Sequence, residues 1–166
     1  MAQQLRPSAH ITSPRGDVSE YGALRFFKRT GEGVYDMKDL SARTAAMAQF
    51  VSIEKAAVDA DKAIGLGYSN GANILAAVAL ERPELLNDII LLHPLIPWQP
   101  DPQPGLKGRR ILITAGERDP ICPAPMTQAF ADYLHAQGAD VSLHWHVGGH
   151  EIAESELDAV SAFIAT

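Results

Sequence analysis

The chain has 166 residues, 46% of them hydrophobic and 20% charged, enough to bury a core within a single domain spanning 1–166. A formal net charge of −6 argues against nucleic acid or an anionic membrane surface as a main partner, and no apolar run is long enough to cross a bilayer. The start, MAQQLRPSAHITSPRGD, lacks the basic residues and apolar run of a secretory signal, and the one cysteine, Cys122, can form no internal disulfide; both favour the cytoplasm.

In chain order, a β-rich run at 8–14 (SAHITSP) comes first, followed by an irregular stretch at 15–36 that holds Phe26, Phe27 and Tyr35. A helical pattern at 38–61 offers Leu40, Ala45, Met47, Phe50, Val51 and Ile53 as its apolar positions. A strand at 62–69 (KAIGLGYS) leads straight into an almost wholly apolar helix at 70–81. Next come a strand at 88–94 (DIILLHP), a proline-rich segment at 95–107 that cannot carry a helix, and a strand at 109–116 (RRILITAG). A helix at 125–137 stops at Gly138, a strand covers 141–148 (VSLHWHVG), and a last helix covers 155–164. Continuously apolar strands alternating with helices predict βαβ units and a mainly parallel sheet of about five strands, an α/β three-layer sandwich. Both irregular stretches fall at the C-terminal edge of that sheet, where such folds bind ligands.

One junction carries chemistry. Gly67-Tyr68-Ser69-Asn70-Gly71 fits G-x-S-x-G between a strand and a helix. Such a turn strains the serine backbone, raises Ser69 Oγ above the sheet, and leaves no room for side chains at the two flanking glycines. The Asn70 N–H, at the helix start, would face an oxyanion formed beside the serine. Downstream, Asp119 in ILITAGERDPICP and His150 in VSLHWHVGGHEI each follow a strand, in the order nucleophile, acid, base. His150 would take the serine proton and Asp119 would hold the imidazole; two glycines before His150 let its loop bend inward.

These segments, with SPRGDVSEYGALRFFKRTGEGVYDMKDL, GYSNGANI, LLHPLIP and GGHE, resemble the phospholipase/carboxylesterase family of α/β-hydrolases, in its bacterial branch of small, hydroquinone-linked serine carboxylesterases. The resemblance covers nearly the whole chain to about Ile152. It implies an acyl-enzyme mechanism on Ser69, Asp119 and His150, without metal or organic cofactor. It also implies a preceding strand and H-G-x-G-G turn that supply a second oxyanion donor. The sequence reads as starting after that turn, so the expectation is an N-terminally shortened hydrolase with an impaired oxyanion hole, at a cost of about 10²–10³ in turnover.

Three readings stay open on these residues: a carboxylesterase, a thioesterase, lysophospholipase or acyl-transferring relative, and a non-catalytic hydrolase fold. Phe26, Phe27 and Tyr35, with Leu95, Ile96 and Trp98, are candidates to wall an acyl or aryl pocket or simply to staple the loops. Cys122 reads as a buried structural thiol. His144 and His146 share a strand face, but no carboxylate or thiol spacing supports a metal site, and none is assigned. Arg109 and Arg110 read as solvent-facing, and exposed strand edges would allow a homodimer.

Overall fold

The structure, a computed structural model, describes residues 6–165. Its centre is a parallel sheet of four strands, β5 (Ile64–Tyr68), β6 (Asp88–Leu92), β7 (Arg110–Gly116) and β8 (Asp140–His146), arranged in that order. Sequential order and parallel sense require every connection to cross back over the sheet. Helix α2 (Asn70–Glu81) makes the first crossover and α3 (Ala124–Ala136) the third; the second is a loop with one 3₁₀ turn at Pro104–Leu106. Helix α1 (Met37–Ala57) precedes β5, and α4 (Glu154–Ala165) follows β8.

The apolar runs of the inner strands show why the sheet is covered on both sides. All five residues of β6 are buried, and its four apolar side chains alternate between two cores. Ile89 and Leu91, with Ile111 and Ile113 of β7, pack under α2 and α3 against Ala76, Phe130 and Leu134. Ile90 and Leu92, with Leu112, meet Val160, Phe163 and Ile164 of α4 on the opposite face. Each such isoleucine or leucine contributes about 1.5–3 kcal/mol on burial.

The 8–14 run forms no strand: it is exposed, and no strand among the described residues pairs with it. Ile11 and Thr12 carry β propensity, but a strand exists only through a ladder, and no ladder reaches them. The 15–36 stretch, read as irregular, holds two small antiparallel hairpins, β1–β2 (Val18–Glu20, Ala23–Arg25) and β3–β4 (Arg29–Gly31, Val34–Tyr35). The first turns on Tyr21 and Gly22, both at positive φ, the conformation a two-residue hairpin loop demands.

Asp36 caps α1 by accepting the Asp39 N–H at 3.0 Å. The helix buries a narrow i, i+4 stripe of Leu40, Thr44 and Ala48, so Ala45 and Ile53 face outward, against expectation. The proline-rich segment does contain a helical turn, since Pro104 suits the first position and the Gln103 side chain accepts the Gly105 N–H. Arg110 is not a solvent arginine: it bonds Asp88 at 3.0 Å and the Phe163 carbonyl at 2.8 Å, and lies over the Phe163 ring. A strand residue at the sheet's N-terminal edge meets the end of α4 there. Among the described residues no helix is long and apolar enough to cross a membrane.

Candidate active site

Parallel pairing places the C-terminal ends of all four strands on one rim, with Tyr68 opposite Leu92, Leu92 opposite Thr114, and Gly116 opposite His146. The residues that follow these ends make the site. Ser69 sits between β5 and α2 with φ 52° and ψ −116°, a strained conformation held in part by its N–H on the Leu92 carbonyl at 2.8 Å. A Cβ at Gly67 would fall inside the backbone of Gly71 and Ala72, so this glycine is required. Gly71 differs from expectation: a Cβ there meets only the edge of Phe26 at 3.7 Å, an ordinary contact. The Asn70 N–H belongs to the first turn of α2, whose amides lack intrahelical acceptors, while the Asn70 side chain accepts the Phe26 N–H at 2.7 Å.

His150 arrives from the loop after β8. Its Nε2 lies 2.9 Å from Ser69 Oγ, and its Nδ1 lies 2.7 Å from Asp119 Oδ2. With Nδ1–H donated to the carboxylate, the Nε2 lone pair is left to accept the serine hydroxyl. Tyr68 pins this loop by donating its hydroxyl to the His150 carbonyl at 2.7 Å. The bend also depends on Gly116, at the end of β7, where a Cβ would collide with the carbonyl oxygens of Gly148 and Gly149.

Asp119 is anchored from the opposite side. Its Oδ1 accepts the N–H groups of Ile121 at 2.8 Å and Cys122 at 2.9 Å, a local turn that Pro120 helps to set. Burial pushes its carboxyl up, but the Cys122 amide, the imidazoles of His150 and His93, and the Ile121 amide outweigh that and hold it below the usual aspartate value. The same neighbourhood acts in the other direction on Cys122: burial, then the Asp119 charge, push the thiol up to about 12. It remains a thiol that donates to the His93 carbonyl at 3.3 Å, not a nucleophile.

Sequence reasoning missed the histidine behind Asp119. His93 follows β6, is fully buried, and has φ 52°. Its Nδ1 is 2.8 Å from Asp119 Oδ2, and its Nε2 is 3.0 Å from Oε1 of Glu156, a fully buried glutamate of α4. Glu156 also receives the Thr114 hydroxyl at 2.5 Å and the Ala153 N–H at 2.6 Å. Signals were present: a polar residue directly after the apolar run Ile89–Leu92, and a glutamate four and seven residues before Val160 and Phe163 on one helix face.

Donor atoms of His93, His146 and Glu156 lie close enough together to hold a metal, as do those of His93, Asp119 and His150. His146 Nδ1 accepts the Gly148 N–H at 3.1 Å, so the neutral ring carries its proton on Nε2, the atom a metal would need. In the second group the facing atoms already share protons. His144 does not join His146; its Nε2 lies 3.2 Å from Ser155 Oγ instead.

Residues 27–160 match the model of the dienelactone hydrolase family. The chain belongs to that family. Among its relatives, MhqD of Bacillus subtilis (strain 168) is 38% identical over 156 residues, which cover 93% of this chain and 78% of MhqD. The crystal structure of Atu2452 from Agrobacterium tumefaciens str. C58, a protein of unknown function, is 54% identical with a TM-score of 0.93, over 99% of this chain and 80% of that one. The Bacillus cereus carboxylesterase is 31% identical with a TM-score of 0.90, over 99% and 78%. The dienelactone hydrolase family is thus a hydrolase family of α/β-hydrolase, carboxylesterase type, in line with the resemblance read from the motifs.

In this family member a small cleft opens beside Ser69, lined by Arg25, Arg29, Glu32, Tyr35, Asn73, Leu95, Ile121 and Cys122 as well as Ser69 and Asn70. Of the six predicted wall residues it contains Tyr35 and Leu95. Tyr35 donates its hydroxyl to the Leu95 carbonyl at 2.9 Å and accepts the Asn73 amide at 2.8 Å. Phe27 and Ile96 are buried in the core, and Phe26 and Trp98 pack against the Phe27 cluster, so these four staple the loops and do not line the cleft. Arg25, Arg29, Glu32 and Asn73 of the cleft were not foreseen. Arg29 is paired with Glu20 at 3.0 Å and Glu32 at 2.6 Å, partners that only the hairpins bring together.

Proposed function

We propose that this protein is a serine carboxylesterase that cleaves small carboxylic esters through an acyl-enzyme. The observation that carries the reading is the unbroken line of hydrogen bonds from Ser69 Oγ through His150 to Asp119, with contacts of 2.9 and 2.7 Å. Ser69 attacks the ester carbonyl while His150 Nε2 takes its proton, and Asp119 holds the ring and stabilises the imidazolium. The Asn70 N–H donates to the oxyanion. His150 then returns the proton to the leaving alcohol, and a water activated by the same nitrogen releases the acid. The narrow cleft and its two guanidinium groups suit short, polar esters better than long acyl chains. A cytoplasmic setting agrees with a lone, buried and unreactive thiol.

The test is hydrolysis of p-nitrophenyl acetate together with labelling by a fluorophosphonate probe. Both are expected in the natural chain and lost in Ser69→Ala. Labelling that persists in Ser69→Ala, or an unlabelled natural chain, would overturn the assignment.

A further inference from the structure

We propose that His93 is a positioning residue of this site, a proton-bearing strut between Asp119 and Glu156 that sets how strongly Asp119 holds the His150 imidazole. The inference rests on the esterase reading for the role of Asp119, but its geometry stands apart from it. All four acceptor positions of the Asp119 carboxylate are filled: two backbone N–H groups on Oδ1, and His150 and His93 together on Oδ2, at 2.7 and 2.8 Å. Two imidazoles can share that oxygen only if each presents an N–H. His93 therefore donates from Nδ1. Its Nε2 lies 3.0 Å from Glu156 Oε1 but outside hydrogen-bond geometry, so the ring is wedged between the two carboxylates and bonded through Nδ1 to Asp119.

The strut is built at a cost. His93 is fully buried at φ 52°, a conformation unfavourable for a ring-bearing residue, and its N–H is tied to the Thr114 carbonyl at 2.8 Å. Groups facing the ring come from every neighbouring element. They are Asp119 after β7, Glu156 of α4, His146 of β8 at 5.5 Å between centroids, His150 at 5.1 Å, and Tyr68 of β5 at 5.8 Å. Among these, only the two carboxylates meet its nitrogens directly.

Each donor on Asp119 draws charge from it and weakens its grip on the His150 imidazolium. Removing the His93 donor strengthens that grip, so the base form of His150 emerges at higher pH. In His93→Phe, which keeps a ring but no donor, the acid limb of the kcat/KM profile moves up by about one pH unit. His93→Asn places an amide N–H near the former Nδ1 and tolerates the positive φ; it returns the limb towards its natural position. A residue that only filled space would lower activity without moving the limb, and an unmoved limb in His93→Phe overturns the proposal.

Long-range ¹H–¹⁵N spectra of the histidine-labelled natural chain decide the matter even if the variant fails to fold. A protonated His93 Nδ1 with a downfield-shifted proton is expected; an unprotonated Nδ1 refutes the strut. Absent ester turnover and absent probe labelling of the natural chain would instead remove the esterase reading, and the spectra would still judge the strut.

Discussion

At the scale of single residues, the site is a set of protons whose positions are dictated by which acceptors face them. Asp119 fixes the His150 tautomer because a carboxylate at 2.7 Å from Nδ1 accepts only an N–H. In Asp119→Asn an amide N–H can face that nitrogen and leave the proton on Nε2, the atom that should accept from Ser69. The expected outcome is a fall of about 10⁴ in kcat with the fold retained, measured by ester hydrolysis alongside circular dichroism. An equal loss in Asp119→Asn and in Asp119→Asn combined with His150→Ala would show the two acting as one unit. Ser69, Asp119 and His150 were readable because each stands in a short local pattern. His93 and Glu156 were not, since nothing in their own neighbourhoods says that two buried polar residues 63 positions apart will meet across 3.0 Å.

Elements deliver these residues through their ends. Strand periodicity located β5 to β8 well because covered parallel strands are continuously apolar, and α2 stood out as an apolar helix beginning at the serine. Local pattern failed where partners decide the outcome: 8–14 has strand-like residues and no ladder, and the hairpins of 15–36 rest on turn chemistry at Tyr21 and Gly22 that was not weighed. It also missed one of the glycines that shape the His150 loop. Gly148 does leave room for that loop, since a Cβ there would collide with Glu151 and the His146 ring, but Gly116, on a different element, leaves the space through which the loop passes as well. Gly116→Ala should therefore force the Gly148 and Gly149 carbonyls outward. The expected loss is about 1–3 kcal/mol of stability and at least tenfold in turnover, read by urea denaturation and initial rates. Wild-type rates in this variant would mean the loop is less constrained than its packing indicates.

For the whole molecule, the sheet's C-terminal rim concentrates polar and charged groups under and behind the serine, while the two apolar cores carry the fold's stability. That arrangement links stability to pH. The Asp119 carboxyl is held below its ordinary value of 3.8 in the folded chain, so its contribution is fully present above that value and disappears as pH falls through the depressed one. Urea midpoints are expected to hold from pH 7 towards pH 5 and to drop below about pH 4, with a smaller drop in Asp119→Asn. The sequence by itself determined the layer architecture, the strained turn at Ser69 and the order of the three residues along the chain, because periodicity and turn chemistry act within a few residues. Only the tertiary structure decided which neighbours each of them has: Glu156 and His93 behind Asp119, Gly116 beneath the His150 loop, Arg25 and Arg29 at the cleft, and Phe27 inside the core. Those contacts join distant segments, and the chain encodes them only through the way its strands line up and its helices cross.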